Sequence, residues 1–572
     1  MDNKPGQAYR RLWLYAGIAM ALGAVAMPVL NPDLFWHLSA ARYMVHNLRL
    51  PSADFLSWTE YGAPWKDFEW LTQLLWYAVY SAAGIKGLFV FKTALLATSF
   101  PLLYLALPRN IGKEVAFIAL PLWGLALMAN SDLRPENFSV LFFAALLWKL
   151  ETARRNGGTW PRGPAGLAGL ALLFALWANL HAGFAFGLLL LASYAAGGLE
   201  RTGPKAPLLA LGAAFSGTLL NPWGIGLYSV LYKHAVQSAA LSRYLSEWEP
   251  PSLLIPWHWP FTALLAGAAA LLLLRYRRSR RVPPEHLLTL AWLAFEALSH
   301  TRHIVFFSMA AVVFSFDAAA SLWEPARLIR TWRWLAVLAA VYLSAVVWPR
   351  YLSFRTSIGG EAAGAAAYLE ANKALLGGRR LYNPWTWGGY LGWALAPDYQ
   401  VFTDGRYIFH KYLVPESEAM KDQYAWEKFS DQENFGLALF RRDYQMLPYG
   451  QRTGGGMAKI MRPSYLLFMP AGKWALVYWD AFSVLFARRG GPLPPEFRIL
   501  RPDDFGSAEL KLCDGAVGKE AAEGELKDYY KAAAGAPSTR EADYFRDWLK
   551  GFPGSCPPRV NRPAAPDGQA SR

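Results

Sequence analysis

Apolar runs close to the thickness of a bilayer recur along this chain, and no other feature restricts its fold so strongly. Lipid offers the backbone no hydrogen bonds, so a crossing segment must be helical or part of a closed barrel. A helix needs about 20 apolar residues to cross. Such runs lie at about 12–30, 87–107, 115–130, 137–148, 165–180, 183–199, 207–221, 258–274, 287–299, 304–320 and 334–349, which predicts about eleven spans. Residues 165–199 are apolar for too long to form one helix. The polar Asn179-Leu180-His181-Ala182-Gly183 is where they should break. The segment 71–84, LTQLLWYAVYSAAG, is short for a crossing and reads as a helix lying in the headgroup region.

The charge distribution supports that assignment. With 71–84 kept out of the lipid, the loops on the N-terminal side are 1–11, 108–114, 149–164, 200–206, 275–286 and 321–333, and they hold 19 Lys and Arg. The opposite loops, 31–86, 131–136, 181–183, 222–257 and 299–303, hold 8. Basic residues stay cytoplasmic, so the N-terminus is expected inside and the chain after about 350 outside. The net charge of +15 therefore reports topology, and a nucleic-acid partner is excluded. The expected location is a bacterial inner membrane, crossed many times.

The chain changes character near 350. LEANKALL and WGGYLGWAL read as helices. RRLYNP, YQVFTDGR, KWALVYW and FSVLFARR read as strands. Strands alternating with helices predict an α/β domain over 350–556, and the Pro-rich 557–572 reads as disordered. The expected fold is thus an all-α membrane bundle, 1–349, followed by a soluble periplasmic α/β domain. Cys513 and Cys556, the two cysteines, both lie in the exported part and are expected to form a disulfide.

Under this topology the ionisable residues gather at one membrane face. Asp33 and His37 follow the first span. Asp54, Asp67 and Glu69 share the aromatic-rich loop 31–86 with them. Asp132, Arg134 and Glu136 lie in SDLRPEN, His181 in the third outer turn, and Glu247 and Glu249 in SEWEP. Glu296, His300, Arg302 and His303 lie in FEALSHTRH. Charged groups at helix ends in a membrane mark a functional site unless they are paired or solvated. Each also has an ordinary structural role open to it: Asp33 as a helix cap, Asp54 as a turn residue, Glu69 at a helix N-terminus, and Glu296 with His300 as a one-turn pair. Lys92 and Asp317 fall elsewhere. Lys92 is expected to snorkel outward and Asp317 to reach the inner interface. No Walker loop, HExxH, Cys/His zinc pattern or GxSxG elbow occurs in the membrane part.

An acid just after the first span, an interfacial helix, and an outer turn of the form xRPE resemble the GT-C membrane glycosyltransferases. NPDLFWHL with LPSADFLSWTEYGAPWKDFEWL is similar to uncharacterised bacterial members of that type. SDLRPENF resembles the outer turn of the protein mannosyltransferase and aminoarabinose transferase branch. The resemblance spans about residues 12–350. It implies a sugar donor linked to a polyprenyl phosphate, a periplasmic glycan, lipid or protein acceptor, and inverting displacement. It also implies Asp33 as catalytic base, with Asp132 and Glu136 supporting it. His37, Asp54, Glu69, Arg134, His181, Glu296, His300, Arg302 and His303 would then bind substrate. The carboxylates would accommodate a divalent metal, although no motif demands one. NPWTWGGYLGW with VFTDGR distantly resembles the WWDYG segment of oligosaccharyltransferases. Trp385-Thr386-Trp387 replaces its acid, so an ordinary strand–helix–strand is the preferred reading. A non-catalytic envelope-assembly protein, a polysaccharide ligase and a flippase stay open as alternatives.

Overall fold

The structure is a computed structural model that describes residues 21–27, 29–109, 122–125, 127, 131–158, 160–324, 334, 337, 338, 341, 360–442, 446–453, 456–502, 505–534 and 539–554. The expected spans over 12–30, 115–130 and 334–349 fall largely outside these residues. So do the 557–572 tail and Cys556, the second partner of the expected disulfide. The chain divides into two compact units: Met1–Asp54 with Gly62–Ile358, and Phe55–Tyr61 with Gly359–Arg572.

The first unit is helical. Its helices include α1 (Leu34–Asn47), α2 (Trp70–Ala97), α3 (Glu136–Arg155), α4 (Gly163–Leu180), α5 (Phe184–Gly197), α6 (Lys205–Thr218), α7 (Trp259–Ser279), α8 (Pro284–Ser299) and α9 (Ile304–Leu322). Among the described residues, four stretches are long and apolar enough to cross a membrane: Trp70–Ala106, Gly163–Leu180, Trp259–Ser279 and Thr301–Leu322. The chain is a membrane protein. Trp70–Ala106 is too long for one crossing, and Gly84, at φ 61° and ψ −155°, interrupts its helix. Only glycine adopts that conformation readily, and the break leaves Trp70–Ala83 shorter than the about 20 residues a crossing needs.

Burial separates the helices by role. The stretch ending in α9 is 83% buried within the unit, against 17% for α7. A helix that is apolar on every face and packed on every face is central; α9 contacts α3, α7 and α8. α4 carries Pro164 in its first turn, where its missing N–H is harmless. It ends where His181 turns to extended backbone (φ −165°, ψ 147°), at the expected break.

Lys92 does not snorkel. It is fully buried and donates to the carbonyls of Met27 and, at 2.7 Å, of Ser131. Both acceptors lie in non-helical backbone, so the ammonium satisfies groups that no helix satisfies. Asp317 pairs with Arg154 at 2.7 Å and Arg275 at 2.8 Å. They join a buried network around Glu151, which accepts from Tyr194 at 2.7 Å and lies 2.9 Å from His286 Nε2.

The second unit is built on a four-stranded sheet. Its strands are β1 (Leu381–Tyr382), β2 (Leu437–Arg441), β5 (Trp474–Trp479) and β6 (Ser483–Arg488), in the order β1-β2-β6-β5; β3 (Met446–Thr453) and β4 (Gly456–Pro463) form a separate hairpin. β1 runs parallel to β2 and the other pairs are antiparallel. Side chains alternate across the pleat. Leu437, Leu439 and Leu485 meet Leu369 and Leu391 on one face. Ala438, Phe440 and Phe486 meet Trp426, Leu526 and Phe545 on the other. With both faces covered, the strands read as unbroken apolar runs. A bulge between Leu476 and Tyr478 returns Trp479 to the second face.

YQVFTDGR is not a strand. It makes one isolated parallel bridge, Ser57 to Val401. The residues that pair with it come from Phe55–Tyr61: Val401 N–H donates to Leu56 O at 3.1 Å, and Trp58 N–H to Val401 O at 3.1 Å. Asn383 then replaces a ladder, accepting from Phe402 N–H at 2.8 Å and donating to Thr403 O at 3.0 Å. Asp404 and Arg406 close on each other as a fully buried pair, 2.7 Å apart.

Candidate active site

All the site residues expected from the sequence lie in the helical unit. Its frame begins in the few residues just before α1. Leu30 N–H donates to Asp132 Oδ1 at 3.0 Å, and the Asn31 amide donates to Leu133 O at 2.9 Å. Asn31 Oδ1 accepts from Asp33 N–H at 3.1 Å. NPD and SDLRPEN are thereby stapled together. Asp132 also accepts from Leu133 N–H at 2.6 Å, so its carboxylate serves the backbone. Asp33 stands at the N-cap of α1, half-buried, without a side-chain capping bond.

Glu69 occupies the middle of the cluster, at the N-cap of α2. Its two oxygens lie 4.0 Å from His37 Nε2 and 3.9 Å from His181 Nε2. Hydrogen bonds elsewhere on the rings decide which nitrogen is protonated. Trp177 Nε1–H donates to Ser139 Oγ at 2.7 Å, so the Ser139 hydroxyl turns its own hydrogen to His181 Nδ1, also at 2.7 Å. Gly183 N–H donates to the same nitrogen at 3.0 Å. The proton of neutral His181 is therefore on Nε2, toward Glu69. Gln73 Nε2 donates to Asp67 Oδ1 at 2.5 Å and lies 3.3 Å from His37 Nδ1, which makes that nitrogen an acceptor and leaves the His37 proton on Nε2. A Cβ on Gly183 would collide with Ser139 Oγ and with the His181 ring, so glycine is required for this turn.

Burial, then the Asp67 carboxylate, push the Glu69 carboxyl well above the usual range; Arg302 opposes them, and Asp33 and Glu136 add to the rise. The charges of Asp33, Glu136 and Arg302 thus lie within electrostatic reach of Glu69. Burial lowers His37 well below the ordinary value, helped by His181, and lowers His181 to about 3. Both imidazoles are neutral donors.

Beside this cluster, Glu247 binds Arg134 and, at 3.1 Å, Arg302 Nη1. Burial would raise the Glu247 carboxyl, but Arg134 and then Arg302 overcome it and hold it at about 2. One carboxylate is thus shared by two guanidinium groups, and Asp33 and Glu136 also lie within electrostatic reach of Arg134. Arg302 also lies over Trp248, 5.0 Å from the ring centre, and Thr301 ties the two loops through Glu247 O at 3.0 Å and Glu249 O at 2.9 Å.

Other expected site residues fall nearby or apart. Glu296 Oε2 lies 3.0 Å from His303 Nδ1 and 3.8 Å from His300 Nδ1. Glu136 is buried in the first turn of α3. Asp54 is buried and its backbone closes a turn with Gly62 and Ala63, at 2.9 Å each. Gln73, Ser139 and Trp177 were not expected from the sequence. Gln73 stands one helical turn from Glu69, and Ser139 one turn from Glu136, so periodicity alone could have pointed to both.

No protein-family model and no curated protein matches the chain. Two solved structures of ArnT from Cupriavidus metallidurans are similar to it in fold. The one bound to undecaprenyl phosphate is 14% identical, with a TM-score of 0.45, over 85% of this chain and 99% of that one. The apo form is 13% identical, with a TM-score of 0.45, over 86% and 100%.

Proposed function

We propose that the chain is a membrane glycosyltransferase that moves a sugar from a polyprenyl-phosphate-linked donor to an acceptor hydroxyl at the extracytoplasmic face. The observation that carries this reading is the pair of guanidinium groups, Arg134 and Arg302, gathered on Glu247 beside the carboxyls of Asp33, Glu69 and Glu136. A phosphate leaving group seeks such a pair of guanidinium groups, and an acceptor hydroxyl needs a carboxylate base. An apolar cavity of about 500 Å³, lined by Leu122, Leu125, Leu264, Leu271, Val312 and Phe316, suits an isoprenoid chain.

In the proposed reaction the acceptor oxygen forms a bond to the anomeric carbon as the bond from that carbon to the phosphate oxygen breaks. The configuration inverts. Asp33 takes the hydroxyl proton; its partly exposed position suits contact with an acceptor arriving from water. Arg134 and Arg302 meet the charge that develops on the departing phosphate. Glu69, neutral over a wider pH range than an ordinary carboxyl, does not repel that phosphate, and His37 and His181 hold it in place. Asp132 positions the Asp33 segment. The about eleven spans, the cytoplasmic N-terminus and the periplasmic second unit belong to this proposal.

The test compares envelope glycans by mass spectrometry in a deletion strain complemented with wild type or Asp33→Asn. The expected result is a glycan modification restored by wild type and absent with the variant at equal protein level. Full restoration by Asp33→Asn would remove Asp33 as base. Identical glycans in the deletion and complemented strains would favour a non-catalytic assembly role.

A further inference from the structure

Three donor atoms of the types that hold transition metals converge where α8 ends. Glu296 is in its last turn. His300 leaves the helix in extended conformation (φ −142°, ψ 123°), and the short 3-10 turn Thr301–His303 folds His303 back. His300 N–H still donates to Glu296 O at 2.9 Å, and His303 N–H to His300 O at 3.1 Å. Thr301 anchors the turn to Glu247 and Glu249. Main-chain bonds thus fix the arrangement whatever the side chains bind.

The donor geometry fits one small cation. Glu296 Oε2 lies 3.0 Å from His303 Nδ1 and 3.8 Å from His300 Nδ1, and one ligand atom from each of the three residues lies within 4.8 Å of the other two. Two ligands about 2.1 Å from one tetrahedral zinc ion stand roughly 3.4 Å apart. The two distances from Glu296 bracket that separation. The 3.0 Å approach is an ion-pair contact, yet neither Nδ1 atom, both buried, makes a hydrogen bond of ordinary geometry among the described residues. Two imidazole nitrogens that converge on one carboxylate oxygen at these distances are arranged as ligands would be. Phe186, with its ring centre 4.8 Å from that of His303, and Trp248, 5.2 Å from His300, wall the cluster. Such a shell limits access by water.

We propose that Glu296, His300 and His303 bind one divalent transition-metal ion of the zinc class. Two nitrogens and one oxygen favour zinc and its neighbours over magnesium or calcium, which prefer all-oxygen sites. Three protein ligands leave a fourth position for an oxygen donor. Arg302 lies between two of the ligands in sequence, so an anion held by its guanidinium is a suitable donor. The binding step itself does not depend on the glycosyltransferase reading.

The test uses the untagged full chain in detergent, stripped with a chelator and titrated with zinc or cobalt(II) chloride alone. Metal retained after gel filtration is counted by mass spectrometry, and cobalt is followed by its visible ligand-field bands. One retained equivalent and intense tetrahedral-type bands are expected. Glu296→Gln and His300→Ala should each weaken binding at least about tenfold, whereas His258→Ala should not. Glu296→Gln preserves shape, so its metal-free melting temperature should match that of wild type, and metal should raise only the wild-type value. Absence of stoichiometric metal, or equal affinity in wild type and both ligand variants, would overturn the site. No sugar transfer is read, so that failure would leave the proposed activity standing.

Discussion

Ser139 donates its hydroxyl hydrogen to His181 Nδ1 over 2.7 Å, and so fixes the imidazole proton on the nitrogen that faces Glu69. The serine can do this because Trp177 Nε1–H already occupies its acceptor side, at 2.7 Å. A tryptophan on α4 therefore determines, through a serine on α3, which edge of His181 meets the buried carboxyl.

Ser139→Ala breaks this relay at both ends. The Trp177 N–H loses its acceptor while staying buried, which costs about 1–3 kcal/mol. His181 keeps only the Gly183 N–H on Nδ1. The expected outcome is a lower melting temperature in detergent and lower transfer activity per folded molecule. Ser139→Thr keeps the hydroxyl and should recover activity better than it recovers stability, because its extra methyl enters a fully buried position. Melting curves and activity assays on both variants check this; equal activity of Ser139→Ala and wild type would refute the relay.

Glu69 supplies a pH prediction with a definite sign. Its folded-state carboxyl is raised above the ordinary 4.5 by burial and by Asp67. Below the unfolded value both states are protonated, and the folded state carries no penalty. Between the unfolded and the folded values only the unfolded state ionises, so stability falls by about 1.4 kcal/mol for each pH unit in that window. Glu69→Gln removes that dependence. The variant's melting temperature relative to wild type should therefore increase with pH above about 4.5 and level off once folded Glu69 ionises. A difference that does not vary with pH would show that Glu69 titrates normally.

Much of this architecture was legible in the sequence, and the exceptions have physical causes. The break at Asn179–Gly183 was visible because polar residues interrupt an apolar run. The β5–β6 pair was visible because a strand covered on both faces is continuously apolar. α1 was not foreseen: it is short and rich in aromatic and polar residues, and it is buried on most sides, from Leu34 to Ala41, so no amphipathic stripe marks it. YQVFTDGR has the composition of a strand, but its neighbours come from a distant part of the chain, which composition cannot reveal. The site residues Glu69, His37 and His181 could each be named from the sequence. Their meeting could not, because it depends on how separate helices pack, and although Ser139 lies one turn from Glu136, that spacing does not reveal its bonds to Trp177 and His181.

Arg302 should govern donor affinity more than stability. The Arg302–Glu247 pair is partly exposed, at 21% and 30%, and exposed ion pairs contribute about 0–1 kcal/mol. Removing a donor aimed at developing charge typically costs about 10²–10³-fold in rate. Arg302→Ala should therefore fold nearly normally and lose activity on that scale, and Arg302→Lys should recover part of it. Kinetics with a polyprenyl-phosphate sugar lipid, set beside melting curves, separate the two effects. Unchanged kcat/KM in Arg302→Ala would take the leaving-group role from this residue.

The Glu151 network should behave in the opposite way. Glu151 is fully buried and anchors Arg154 at 2.7 Å, Arg155 at 2.8 Å, His286 at 2.9 Å and Tyr194 at 2.7 Å. It joins α3 to α5 and α8 through Tyr194 and His286, both buried. Removing one partner of a buried ionic group leaves the others uncompensated, at about 3–5 kcal/mol. None of these contacts reaches the cluster around Glu69. Glu151→Leu is therefore expected to lower the melting temperature far more than Arg302→Ala does, while the fraction that folds keeps the wild-type pH profile and KM. Thermal unfolding, together with kinetics normalised to folded protein, decides the point. A changed KM in Glu151→Leu would mean that the two clusters are coupled through α3.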